Sequence, residues 1–153
     1  RVHMDPMDDP FSAVERELEA APLGVVADAV IVDMHAEATS EKMGMGHFCD
    51  GRASLVVGTH THVPTADAQI LPHGTAYQTD AGGCCDYDSV IGNDKEEPLR
   101  RFTTRLSGGR YTPASGPATI CGVFVETDDR TGLAKRVEPI RVGGRLSQAI
   151  PQV

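Results

Sequence analysis

The feature that most limits how this chain folds is a pair of apolar, β-branched runs, VVADAVIVDM over residues 25–34 and ASLVVG over residues 53–58, separated by a segment of helical length. Near-continuous runs of this kind mark interior strands covered on both faces. Polar chemistry begins where each run stops. Strand, helix and strand within this distance predict a βαβ unit, which makes the two strands parallel with a right-handed crossover. The intervening helix is expected to take Thr39 or Ser40 as its cap and to stop at Gly51, although Gly44 and Gly46 oppose it from within.

The flanking segments supply the remaining layers. Asp9 followed by Pro10 predicts a helix to about Ala21, with Phe11, Val14 and Leu18 on one apolar stripe and Glu15, Arg16 and Glu19 solvated. Residues 68–71 and 75–79 predict a hairpin turned by Pro72, His73 and Gly74, and residues 80–94, rich in glycine and aspartate, a long loop. A short helix after Pro98 carries Leu99, Phe102 and Leu106, and residues 118–127 and 133–142 predict a second antiparallel hairpin. The expected class is α/β, with mixed sheets flanked by helices in a single domain over residues 1–153.

Composition narrows the choice of ligand. With 40% apolar and 24% charged residues the chain belongs to the ordered globular class. Its net charge of −8 argues against extended nucleic acid and favours a small, metal-assisted ligand. No apolar run approaches the roughly 18 residues of a membrane span. Cys49, Cys84, Cys85 and Cys121 do not form a disulfide framework, so a reducing cytoplasm is the expected setting. The sequence opens at Arg1 without an initiator methionine, which reads as the middle of a longer protein.

Three histidines carry the chemistry. In VDMHAE and GTHTHV, His35 follows one strand, and His60 and His62 follow the next. Parallel neighbours end on the same sheet edge, where ligands of open α/β sheets gather, so the three imidazoles are expected to converge there. In an extended HTH segment His60 and His62 would share one face and reach two metal ions a few ångströms apart. Imidazole suits zinc, iron and related divalent metals alike. His3, His47 and His73 lack such a setting and read as structural or solvated. Glu37 reads either as an orienting partner of a histidine or as a carboxylate at a helix start, and Thr59 and Asp67 are similar candidates. Asp80, Asp86 and Asp88 read first as turn caps. Cys84 and Cys85 read as ordinary loop thiols, and Gly143, Gly144 and Arg145 as a tail turn rather than a phosphate loop.

The phrases VDMHAEATSEKMGMGHF, GTHTHVPTADAQILPHGTAYQTDAG and CDYDSVIG closely resemble the carboxy-terminal half of bacterial metallophosphoesterases of the YmdB type, which are similar to calcineurin-like phosphoesterases; the likeness runs from about residue 4 to about residue 148. The loop GGCCDYDSVIGND departs from the family pattern near Gly83 to Cys85 and near Asn93. The resemblance implies a partial calcineurin-like metallophosphoesterase sandwich. It also implies two divalent metal ions (Fe, Mn or Zn), with His35 and His60 mainly on one and His62 on the other. The implied activity is hydrolysis of small phosphodiesters such as 2′,3′-cyclic nucleotides by a hydroxide that the metal pair activates. The family's carboxylate and asparagine ligands, and its proton-donating histidine, are expected upstream of Arg1, which would leave this chain inactive alone. Homo-oligomer formation stays open. The alternative is a noncatalytic metal-binding or assembly domain.

Overall fold

The computed structural model describes residues 8–152. Helix α1 spans Pro10–Ala20, and the Asp9 carboxylate caps it by accepting the Phe11 N–H at 3.1 Å. Strand β1 (Ile31–His35), helix α2 (Thr39–Cys49) and strand β2 (Leu55–Thr59) form the expected βαβ unit, with β1 and β2 parallel. Strands β3 (Gln69–Ile70) and β4 (Ala76–Gln78) form the expected hairpin. Strand β5 (Cys85–Asp86), helix α3 (Glu96–Thr104), and the antiparallel strands β6 (Ala118–Thr127) and β7 (Ala134–Val142) complete the chain. One sheet has the order β1-β2-β4-β3 and the other β5-β6-β7, so the architecture is mixed α/β with sheets flanked by helices.

Strand β4 has neighbours on both sides. It pairs antiparallel with β3 and parallel with β2, an extension of the parallel sheet that a hairpin pattern does not specify. One face of this sheet is closed by the first two helices. Leu18, Met45, Cys49, Val56 and Tyr77 form the core, with Phe11, Val14, Val32 and Met34 packed against it. Glycine inside a helix costs about 1 kcal/mol relative to alanine, yet α2 keeps Gly46 because the Tyr77 ring lies there. A Cβ at that position would sit 2.6 Å from Tyr77 Cδ2.

Several expectations need correction. The first apolar run is not one long buried strand: the Val25, Val26 and Ala27 N–H groups turn back onto the Pro22 carbonyl, and the two valines are exposed. Only five residues pair as β1, and exposed Ile31, Asp33 and His35 alternate with half-buried Val32 and Met34. Helix α2 is entered from Ala38 without a side-chain cap, which leaves Thr39 and Ser40 inside it. Glu15 is not simply solvated, because it pairs with Arg52 at 2.7 Å. The glycine- and aspartate-rich loop contains β5, which pairs with β6. Helix α3 starts before Pro98, which its first turn tolerates, and Leu106 lies past its end; Leu99, Phe102 and Leu106 are exposed. The four cysteines are free thiols, and no helix among the described residues is long and apolar enough to cross a membrane.

Candidate metal site at the strand ends

The parallel register places the site. His35, the last residue of β1, lies opposite Thr59, the last of β2, and Asp33 shares their face because side chains alternate along a strand. The Thr59 hydroxyl donates to Asp33 Oδ1 at 2.9 Å. Its only proton is thereby used, so at 3.0 Å it accepts the Nδ1–H of His35. The consequence is a fixed tautomer, with Nε2 of neutral His35 bare.

His60 is oriented from the other side. Its Nε2 makes a short contact with Glu37 Oε2, and since an ionised carboxylate only accepts, that nitrogen carries the proton. Nδ1 of neutral His60 is then also bare, and it faces His35 Nε2 at 3.2 Å. The rings meet edge to face, with centroids 5.0 Å apart. Two imidazole lone pairs aimed at each other repel unless a proton or a cation lies between them. At metal–nitrogen distances of about 2.0–2.1 Å, two ligands of a tetrahedral ion sit about 3.3 Å apart and adjacent ligands of an octahedral ion about 2.9 Å apart. The observed gap falls inside that range.

His62 reaches the same cleft by a different route. The HTH segment is not extended, because β2 ends at Thr59 and both His60 (φ 119°) and His62 (φ 65°) adopt left-handed backbone conformations. Such conformations strain residues with a side chain, at a cost of order 1–3 kcal/mol each, and recur at functional sites. His62 Nδ1 donates to the Ile91 carbonyl at 3.0 Å, which leaves its Nε2 bare as well. This is the arrangement of a metal-binding histidine, whose second nitrogen is held by a carbonyl or carboxylate. His35, Thr59, His60, His62, Asp80, Gly82 and Gly83 line a cleft of about 190 Å³.

The donor set in this chain is partial. Among the described residues no three His, Cys, Asp or Glu side chains surround one point. The arrangement presents one converging pair of nitrogens and a further one on His62. Neutral imidazoles fit a divalent cation, and the remaining ligands would have to come from other groups.

The family described as YmdB-like protein matches residues 1–140. The chain belongs to this family. Among YmdB-like relatives it is 48% identical, over 143 residues, to the 2′,3′-cyclic-nucleotide 2′-phosphodiesterase of Bacillus subtilis (strain 168), covering 93% of this chain and 53% of that protein. A crystal structure of a hypothetical protein from Thermus thermophilus is 45% identical with a TM-score of 0.83, covering 95% of this chain and 55% of that one. A phosphatase from Mycoplasma pneumoniae is 36% identical with a TM-score of 0.80, covering 92% and 50%. The chain thus spans about half the length of these relatives.

Of the other sequence candidates in this YmdB-like chain, Glu37 acts on His60 and not on its nearer neighbour in sequence, His35. Asp67 holds Thr79, through the backbone N–H at 3.2 Å and the hydroxyl, and does not touch the histidines. Asp86 caps loop N–H groups, and Asp88 pairs with Lys95 and Arg145. His47 is exposed on α2, His73 bonds Asp50, and His3 lies outside the described residues. The residues that sequence reasoning undervalued are Asp33 and Asp80. A signal for Asp33 was available, since it precedes His35 by two residues in a strand and must share its face. For Asp80 the bond to the Gly82 N–H, two residues on, matches its reading as a turn cap, but its grip on Thr61 and Lys42 had no local signal because those partners are distant in sequence.

The electrostatics agree with these roles. Burial acts to raise the pKa of Asp80, but hydrogen bonds from Thr61, Gly82 and Lys42 outweigh it and hold the carboxyl below its ordinary value. Asp67 is likewise depressed: burial opposes the shift, and bonds from Thr65 and Thr79 prevail. Tyr87, whose hydroxyl donates to the Gly83 carbonyl at 2.8 Å, is pushed up by burial and by its contact with Cys121.

Proposed function

We propose that this chain supplies part of the active site of a metal-dependent phosphodiesterase, with His35, His60 and His62 as metal ligands. In this reading His35 and His60 hold one divalent ion and His62 a second, and the remaining ligands belong to a longer protein of which residues 1–153 are the carboxy-terminal part of one domain. Fe, Mn and Zn all suit these donors. The proposed substrate is a small phosphodiester such as a 2′,3′-cyclic nucleotide, the class named in the Bacillus subtilis relative.

The single observation that carries the reading is the 3.2 Å approach of His35 Nε2 and His60 Nδ1, each with its outer nitrogen already committed. A merely structural histidine pair is expected to share a proton in an ordinary donor and acceptor arrangement. Here both outer partners, a saturated hydroxyl and a carboxylate, favour the tautomers that turn lone pairs inward. When bound, a pair of divalent ions would supply positive charge for the phosphoryl oxygens and lower the pKa of water. The chain's own part is to hold the three imidazoles aimed, through Thr59, Glu37 and the Ile91 carbonyl, so that each turns its inner nitrogen toward the cleft.

The test is metal analysis and 2′,3′-cyclic-nucleotide hydrolysis on the full-length protein, its His60→Ala and His62→Ala variants, and residues 1–153 alone. The expectation is about two ions per full-length chain, loss of metal and at least roughly 100-fold slower hydrolysis in either variant, and no hydrolysis by residues 1–153. A stoichiometry of one or zero with no hydrolysis would instead support a noncatalytic metal-binding or assembly domain.

A further inference from the structure

A buried ion pair lies directly beneath the strained histidine segment. Lys42 on α2 and Asp80, just beyond β4, are each 1% exposed, and Lys42 Nζ meets Asp80 Oδ2 at 3.1 Å. Space for the lysine stem comes from Gly58: a Cβ there would lie 2.6 Å from Lys42 Cδ. Both oxygens of the carboxylate are in use. Oδ2 also accepts the Thr61 N–H at 2.8 Å, and Oδ1 accepts the Gly82 N–H at 2.9 Å.

Thr61 is the residue between the two histidines with left-handed backbones. Gly82 and Gly83 also line the cleft, and the Gly83 N–H donates to the His62 carbonyl at 3.1 Å. We infer that Asp80 is the positioning residue for His60 and His62, gripping the Thr61 and Gly82 amides together, with Lys42 as its buried counter-ion. The inference rests on the metal reading above and deepens it, since it names what holds two of the three ligands in place.

The chemistry is specific to a carboxylate. An amide of the same shape has one acceptor oxygen and one NH₂, so in Asp80→Asn either the Thr61 or the Gly82 N–H must face a donor. Asp67 provides a matched control: it is a partly buried carboxylate in the same region that accepts from Thr79 and touches neither histidine. Loss of an outer partner of a metal ligand typically weakens metal binding about 10- to 100-fold.

The experiment titrates the metal-free full-length protein and its Asp80→Asn and Asp67→Asn variants with Co²⁺, reading affinity and the visible absorption band, and follows exchange of the Thr61 amide in the metal-free state. Asp80→Asn should bind Co²⁺ about 10- to 100-fold more weakly, with an altered band and faster Thr61 exchange, while Asp67→Asn matches the parent in all three. If Asp80→Asn does not fold, Lys42→Gln combined with Asp80→Asn replaces the ion pair by two neutral amides and carries the same expectation. Parent-like Co²⁺ affinity and band in the Asp80 variant, or equal losses in both carboxylate variants, overturn the inference while leaving the metal reading intact. If the unaltered protein binds no Co²⁺, the metal reading fails instead, and Thr61 exchange decides the clamp: unchanged protection in Asp80→Asn overturns it.

Discussion

The two faces of the sheet β1-β2-β4-β3 obey different physics although the same strands build both. On the helix side, Val32, Met34, Val56 and Tyr77 pack into an apolar core that α1 and α2 close. On the other side, at the carboxyl ends of β1 and β2, Asp33, His35 and Thr59 form a polar chain that ends in an exposed histidine pair. Alternation along a strand assigns neighbours such as Met34 and His35 to opposite tasks. The packed face is held mainly by close contact, which tolerates little change in volume, with the buried Lys42–Asp80 pair beside Gly58 as its polar exception. The polar face is held by directed hydrogen bonds, which tolerate changes in volume but not a change of donor to acceptor. Variants can therefore be chosen to strike one face and spare the other.

The largest expected effect is on the packed face. Tyr77 is 2% exposed and lies against Gly46 in the centre of the core. Tyr77→Ala should cost about 3–5 kcal/mol in denaturant unfolding. Metal affinity of the molecules that remain folded should change far less than stability, by under about 1 kcal/mol, because the link from Tyr77 to the site runs through Thr79, the residue before Asp80. A large loss of affinity would break the separation of the faces. Gly46→Ala comes next. It forces a methyl group into the Tyr77 ring and should cost about 1–3 kcal/mol. Pairing it with Tyr77→Leu sharpens the comparison, because the clash should vanish and the two costs should fall short of their sum.

What the sequence disclosed divides along the same line. The βαβ unit, the placement of His35 and His60 at adjoining strand ends, and the final hairpin were legible because each follows from local periodicity and turn chemistry. The true length of β1 was not, since Val25 and Val26 are as apolar as a strand requires and only the turn onto Pro22 removes them from it. Neither was the parallel pairing of β4 with β2, which depends on two segments that are separated in sequence meeting in space. In the site, residue types gave the histidines but not their orientation. The turned backbone at His60 and His62 and the grip of Asp80 on Thr61 are tertiary facts, with partners 19 and 38 residues away from Asp80 in sequence. Glu37 was noticed for its nearness to His35 and proved to serve His60, because the end of β1 turns it toward the next strand's histidine.

The smallest expected change in stability tests the polar face most directly. Thr59→Val keeps the shape of the side chain and deletes the hydroxyl that accepts from His35 Nδ1 and donates to Asp33. Because the His35 end of this chain is exposed, water can replace the lost partner, and unfolding free energy should change by no more than about 1 kcal/mol. The tautomer of His35 should nevertheless be released, since the Thr59 hydroxyl is the group that holds its Nδ1–H. Ring ¹⁵N chemical shifts of metal-free protein measure this: His35 should move from one dominant tautomer toward a mixture, while His62, held by the Ile91 carbonyl, keeps its own. Metal affinity of the full-length protein should drop about tenfold in parallel. An unchanged His35 signal would mean that the hydroxyl does not select the tautomer, and the inward-facing lone pair on which the site depends would need another cause.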